Sequence, residues 1–311
     1  MSFAFLAPFT ITPAMLSAGT SIPEVDASRG EVLWNAATNY AIGALVVRTT
    51  TNRVYRNVIA GVNASLPEDT PDRWQDLYPT NRFAPFDIYI STPARATTSL
   101  TYVLNPQFFN GLSVYGLQGN ALSLVLRDAP GGALLTSVTQ DLVEQALGLY
   151  ELLFTPLRPV TSAVFRDLPI SPTAELTLTV SAGTGNPVSL GMLNIGNFVQ
   201  LNTIEDFGGT QYEAAAEPKS NSYIKFFEDG TLDRIIRRGA KTDLTGEVLI
   251  RASDAAAAVQ NTQAVLDVPV SVIATRISGY QYLNGFGLLS ARVVANDFTR
   301  ATYSYTFKGF L

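Results

Sequence analysis

The chain has 311 residues, of which 47% are apolar and only 15% charged, with a formal net charge of −5. That length holds one large domain or two unequal ones with a real core, and a net negative chain with no Lys/Arg-rich run argues against phosphate-directed nucleic-acid binding. Cysteine and histidine are both absent, which excludes disulfides, thiolate nucleophiles, zinc–cysteine sites, Ser–His triads and His-ligated metals.

A hydrolase built from this alphabet would have to work with carboxylates, Tyr or Lys. A surface so poor in charge predicts that part of it is buried against other subunits. The first stretch, "MSFAFLAPFTITPAML", is apolar, and no charge occurs before Glu24. It lacks the basic start of a signal peptide. Pro8 and Pro13 interrupt any helix, and the run is too short and broken to cross a bilayer. Residues 1–30 therefore read as an extended arm that docks on a neighbouring subunit, or else as the first strand of the chain's own core.

From Trp34 to about Asp87, β-branched runs such as "ALVVRT" and "RVYRNVI" alternate with turn formers and predict short strands. "NASLPEDTPDRW" is a polar loop with two prolines. Trp34, Tyr40, Tyr55 and Trp74 are large, rigid rings that lose little entropy on holding a partner, and aromatic faces match the C–H faces of sugars. The turn at Gly43 lets the chain double back so that rings align. These four are the candidate glycan-binding residues. The competing reading makes them the core that a module of about 55 residues requires.

"WNAATNYAIGALVVRTTTNRVYRN…PEDTPDRW" resembles the small carbohydrate-binding modules of chitinases and related enzymes, which read Trp, Tyr-x-x-Gly, Val, Tyr, Trp. Its continuation, "RWQDLYPTNRFAPFD", is similar to a form seen in structural proteins of tailed bacteriophages, where the module precedes a β-sandwich. The resemblance covers residues 31 to 87. It implies that Trp34, Tyr40, Tyr55 and Trp74 take the module's aromatic positions, and that Asn81, Arg82 and Asp87 take the phage-specific tail. A Gly often stands where this chain has Tyr78. In "PTNRFAPFD", Asn81 and Arg82 offer donors, Phe83 and Phe86 anchor the loop, and an Asp87–Arg82 pair would lock the exit. Asn81, Arg82 and Asp87 are thus the candidate interdomain clamp.

From about residue 97 the chain becomes regularly spaced strands, with Pro130-Gly131-Gly132 as one bend. Roughly a dozen of them to the C-terminus predict a β-sandwich of jelly-roll type over residues 91–311, following the module at 31–90. "SDAAAAVQNTQAVLD" breaks the pattern. Capped by Ser253 or Asp254, it predicts one helix over 254–266 with Val259, Ala264 and Leu266 facing the sheet.

Carboxylates are the remaining route to glycoside hydrolysis. Glu205 and Asp206 are neighbours, as are Glu228 and Asp229, and neighbours on a strand point to opposite faces. "FFEDG" is hairpin-turn composition. The same acidic loops lack a full ligand ladder for Ca²⁺. "DRIIRRGAK" gathers Arg234, Arg237, Arg238 and Lys241, either to meet an anionic surface or as a solvated strand face. The sum is an all-β, non-enzymatic chain with no cofactor and no metal. The resemblance implies a structural protein of the phage virion, extracellular when mature, in the tail as fibre, spike, baseplate or adaptor. Its expected partners are other virion proteins, copies of itself and host cell-surface glycan, with no nucleic acid and no membrane insertion. A purely architectural head or collar decoration protein, and a glycan-degrading enzyme or its accessory binding module, are the alternatives.

Overall fold

A computed structural model describes residues 3–144, 148–156, 158–201, 209–237, 239–275, 277 and 279–310. Glu205, Asp206 and Arg238 lie outside the described residues. Strands make up 48% of the structure and helices 10%, the all-β class expected. By internal contact the chain divides into Phe9–Ile195 and a second unit formed by Met1–Pro8 with Gly196–Leu311. The division falls at Ile195/Gly196, inside the stretch 91–311 whose uniform strand texture reads as one sandwich. The strand Met192–Gln200 carries the chain across it.

In the unit Phe9–Ile195, strands Leu134–Asp141, Ala121–Arg127, Glu175–Ser181 and Ser99–Leu104 form an antiparallel sheet in that order. Only the first two follow one another in sequence; the other neighbours are reached by crossing to the opposite layer, as in Greek-key sandwiches. Side chains alternate along each strand, so register decides what is buried. Three rows result: Leu122–Val180–Leu100, Leu124–Leu178–Tyr102 and Leu126–Leu176–Leu104. They pack with Leu112, Val114, Val188, Leu190 and Ile195 from the facing strands into one core.

The free edge of Ser99–Leu104 is sealed by the chain's own beginning. Ser17 N donates to Val103 O at 2.8 Å and Ser21 N to Thr101 O at 2.9 Å, while Val103 N donates to the Thr20 hydroxyl at 3.1 Å. An exposed edge would template association; here residues 15–21 occupy it.

The other unit is a curled antiparallel sheet. Ala4–Pro8 lies between the end of Met192–Gln200 and Pro269–Ile273, followed by Asn284–Ala295, Arg300–Gly309 and Ala240–Arg251. Phe3 and Phe5 are fully buried, with Phe3 4.6 Å from the ring of Tyr305 and 5.7 Å from Tyr303. Residues 3–8 are therefore part of the chain's own core, with Ala4–Pro8 as its opening strand, and residues 15–21 are an edge cover. The reading of residues 1–30 as an arm for a neighbouring subunit is corrected. The physical reason is that Phe3 and Phe5 find apolar cover at home.

The strand can lie so close because Gly196 faces it. A Cβ built there would stand 2.0 Å from Ala7 O. Gly196→Ala is expected to push the first strand away and to cost about 1–3 kcal/mol, as overpacking does. The check is a lower denaturant midpoint at an unchanged slope.

The expected helix is present at Ala255–Gln263 after a 3-10 turn, Ala252–Asp254, and a six-residue helix stands at Leu149–Phe154. The helix Ala255–Gln263 buries Ala258 and Thr262, Val265 is buried just past its end, and its Thr262 hydroxyl is 2.8 Å from that of Tyr303. Val259 and Leu266 are exposed, as is Ala264. The buried face is thus shifted from the one expected, because a Thr–Tyr hydrogen bond and small alanines, rather than the larger apolar side chains, set the contact.

Candidate functional site

The module of residues 31–87 is a four-stranded sheet in the order Glu31–Leu33, Leu45–Arg48, Arg53–Asn57, Trp74–Pro79, with a two-stranded ribbon Asn39–Tyr40/Gly61–Val62. Gly43 turns the chain at φ 86°, and its N–H donates to Asn57 O at 2.7 Å. The side chain of buried Asn57 then donates to the carbonyls of Tyr40 and Ala41, both at 3.0 Å. Sequence reasoning missed Asn57, since nothing distinguishes it from the chain's other asparagines until the turn is built.

Tyr40, Tyr55 and Trp74 are 4%, 6% and 1% exposed and pack with Val46. Tyr40 meets Trp74 edge-on at 5.3 Å. Trp34 packs partly buried against the same cluster, with the Arg48 guanidinium 4.8 Å over its ring. The expected glycan platform is corrected accordingly. Tyr40, Tyr55 and Trp74 are the module's core and Trp34 its rim, because their rings close around Val46 and supply the apolar volume a module of this size needs.

Arg48 is held over Trp34 by a two-pronged contact with Glu68, at 2.8 and 3.0 Å. That contact lowers the Glu68 carboxyl below its ordinary range. The fold therefore favours the charged form, and its contribution is present at neutral pH and lost as pH falls through the lowered value. Acid titration is expected to expose Trp34 to acrylamide quenching only below the usual glutamate range. In Glu68→Gln that acid step is expected to vanish.

The tail of the motif forms a joint. Asn81 is buried; its amide donates to Arg95 O at 3.0 Å and Pro23 O at 3.3 Å, and its side-chain oxygen accepts from Arg95 N at 2.8 Å. Arg82 donates to Ile22 O at 3.0 Å and pairs with Glu24 at 3.1 Å, while its own carbonyl accepts from the Tyr102 hydroxyl at 2.8 Å. Phe86 stacks edge-on against Tyr102 at 5.5 Å and Phe83 against Phe86 at 6.1 Å. Module, edge cover and sandwich are thereby tied at one point. Asp87 does not pair with Arg82. Its carboxylate accepts from Tyr89 N at 2.7 Å and the Thr92 hydroxyl at 2.6 Å, closing its own loop. Glu24, brought in by the edge cover, takes the guanidinium instead. Burial raises the Asp87 carboxyl. Tyr78 fits without a glycine: its hydroxyl donates to Glu31 at 3.1 Å beneath the Arg29 guanidinium.

Beside the joint opens a cleft of about 690 Å³ lined by Asp26, Asn81, Arg95, Gln118, Pro187 and Ser189, among others. Arg95 is half-exposed and 4.0 Å from the Asp26 carboxylate. Ser189 and Gln118 exchange backbone hydrogen bonds, each at 3.0 Å. The lining offers donors and acceptors to a hydroxyl-rich ligand and a single carboxylate. Its members come from five separated stretches of chain, so no spacing in the sequence announces it.

Glu228, Asp229 and Asp233 do not converge on one point. Glu228 and Asp229 sit on the turn between strands Tyr223–Phe226 and Leu232–Ile236, and Asp233 pairs with Lys225 at 3.0 Å. Among the described residues no three acidic side chains come together as a metal cluster would need, and no helix is long and apolar enough to cross a membrane.

Fold and site together define an all-β sandwich protein with a small aromatic-cored module mounted on it. Comparison with protein-family models, curated proteins and solved structures finds no match.

Proposed function

We propose that the chain is a non-enzymatic structural protein of a tailed-phage particle, a tail component held in several copies among other virion proteins. The observation that carries this reading is the joint. The stretch that resembles the phage form, "PTNRFAPFD", spends Asn81, Arg82 and Phe86 on mounting the module and none of them on a ligand. A module fixed in this way serves as a building block. Peptide mass spectrometry of gradient-purified particles is expected to find the chain in the particle band. Its absence from that band would overturn the reading.

The cleft favours a second reading, contact with a saccharide. It is of ligand size, and Arg95 and Gln118 present polar groups to it. Arg95→Ala is expected to weaken retention on an oligosaccharide array by about tenfold, the weight of one charged hydrogen bond. Equal retention of both proteins, or none by either, would remove the saccharide.

A further inference from the structure

Among the described residues the strands of the hairpin Tyr223–Phe226/Leu232–Ile236 pair only with each other. Residues directly opposite in an antiparallel pair share a face. Ile224, Ile235, Phe226 and Leu232 therefore form one face, exposed by 45–60%. Tyr223, Ile236, Lys225 and Arg234 form the other. A lone two-stranded hairpin is marginal in water, and a contiguous apolar face at its middle marks an interface. Charge along the hairpin is polarised. Glu228 and Asp229 occupy the tip, whereas Arg237, just past the end of Leu232–Ile236 at the root, pairs with no acid among the described residues.

We propose that this hairpin docks on the same hairpin of a second copy of this chain. The two lie antiparallel about a two-fold axis, apolar face on apolar face. That arrangement sets the acidic tip of each copy beside the basic root of the other, and a two-fold axis makes the contact twice. A parallel arrangement would place acid on acid. The inference rests on the multi-copy reading above and names the surface that multi-copy assembly uses.

Sedimentation velocity of the full chain across the micromolar range tests it. The wild type is expected to associate. Phe226→Ser with Ile235→Ser is expected to weaken association by at least about tenfold, as loss of central apolar anchors does, with the thermal midpoint unchanged. Glu228→Lys is expected to weaken the complex, as is Arg237→Glu, and the two changes together to restore it. A wild type that stays monomeric overturns both the hairpin and the multi-copy reading. Association that survives every variant overturns the hairpin alone. Flotation of a monomeric wild type with phosphatidylglycerol vesicles, lost in the serine variant, overturns the second copy in favour of a lipid surface.

Discussion

Trp74→Ala is expected to unfold the module of residues 31–87 while leaving the sandwich core and the core of the curled sheet folded. The indole is 1% exposed and stacks against Tyr40 in a cluster that also holds Val46 and Tyr55. Truncating a buried ring of that size costs about 3–5 kcal/mol, and a sheet of four short strands has little stability to set against it. The check is limited proteolysis, with cleavage appearing between residues 31 and 79 and nowhere new beyond them. If Trp74 were instead a ligand-facing ring, the variant would stay resistant and lose only binding. The same experiment on Trp34→Ala is expected to give a much smaller effect, because Trp34 lies at the cluster's margin under Arg48.

Asn81→Ala is expected to release the module from the sandwich. The substitution leaves Arg95 N without its acceptor and removes both donors, to Pro23 O and Arg95 O. Buried backbone groups left unpaired cost about 1–3 kcal/mol each, so a loss of about 2–4 kcal/mol is expected after relaxation. It should show as a separate, earlier transition of the module in calorimetry, where the wild type is expected to melt module and sandwich together. Arg82→Ala is expected to act in the same direction but less, since the half-exposed Arg82–Glu24 pair is partly screened. An Asp87→Ala change should leave the joint intact, because its carboxylate serves only its own loop.

What the sequence revealed follows from which signals are local. Alternation in "ALSLVLR" and "ELTLTVS" placed two central strands, since period-2 burial is written into each of them. The hairpin at "FFEDG" was legible for the same reason: turn composition is local. The helix was visible in its alanines, but its facing side was not, because Thr262 meets Tyr303 across 41 positions of sequence. The arm failed in a different way. Apolar residues announce burial, yet only the fold says whose core receives them, and here Phe3 and Phe5 enter their own. The aromatic residues carried the same ambiguity, since a ring that suits a sugar also suits a core. The division at Ile195/Gly196 left no mark in composition because both sides are built of similar strands. The cleft was illegible for the plainest reason: Asp26, Arg95, Gln118 and Ser189 are ordinary polar residues until folding gathers them.

Imaging the intact particle at side-chain resolution probes the structural reading most directly. The expected density holds several symmetry-related copies of the chain, each with Ile224, Phe226, Leu232 and Ile235 covered by a neighbour and Trp74 inside its module. Density without the chain, or with single copies whose 223–236 hairpin stands free in water, would contradict it.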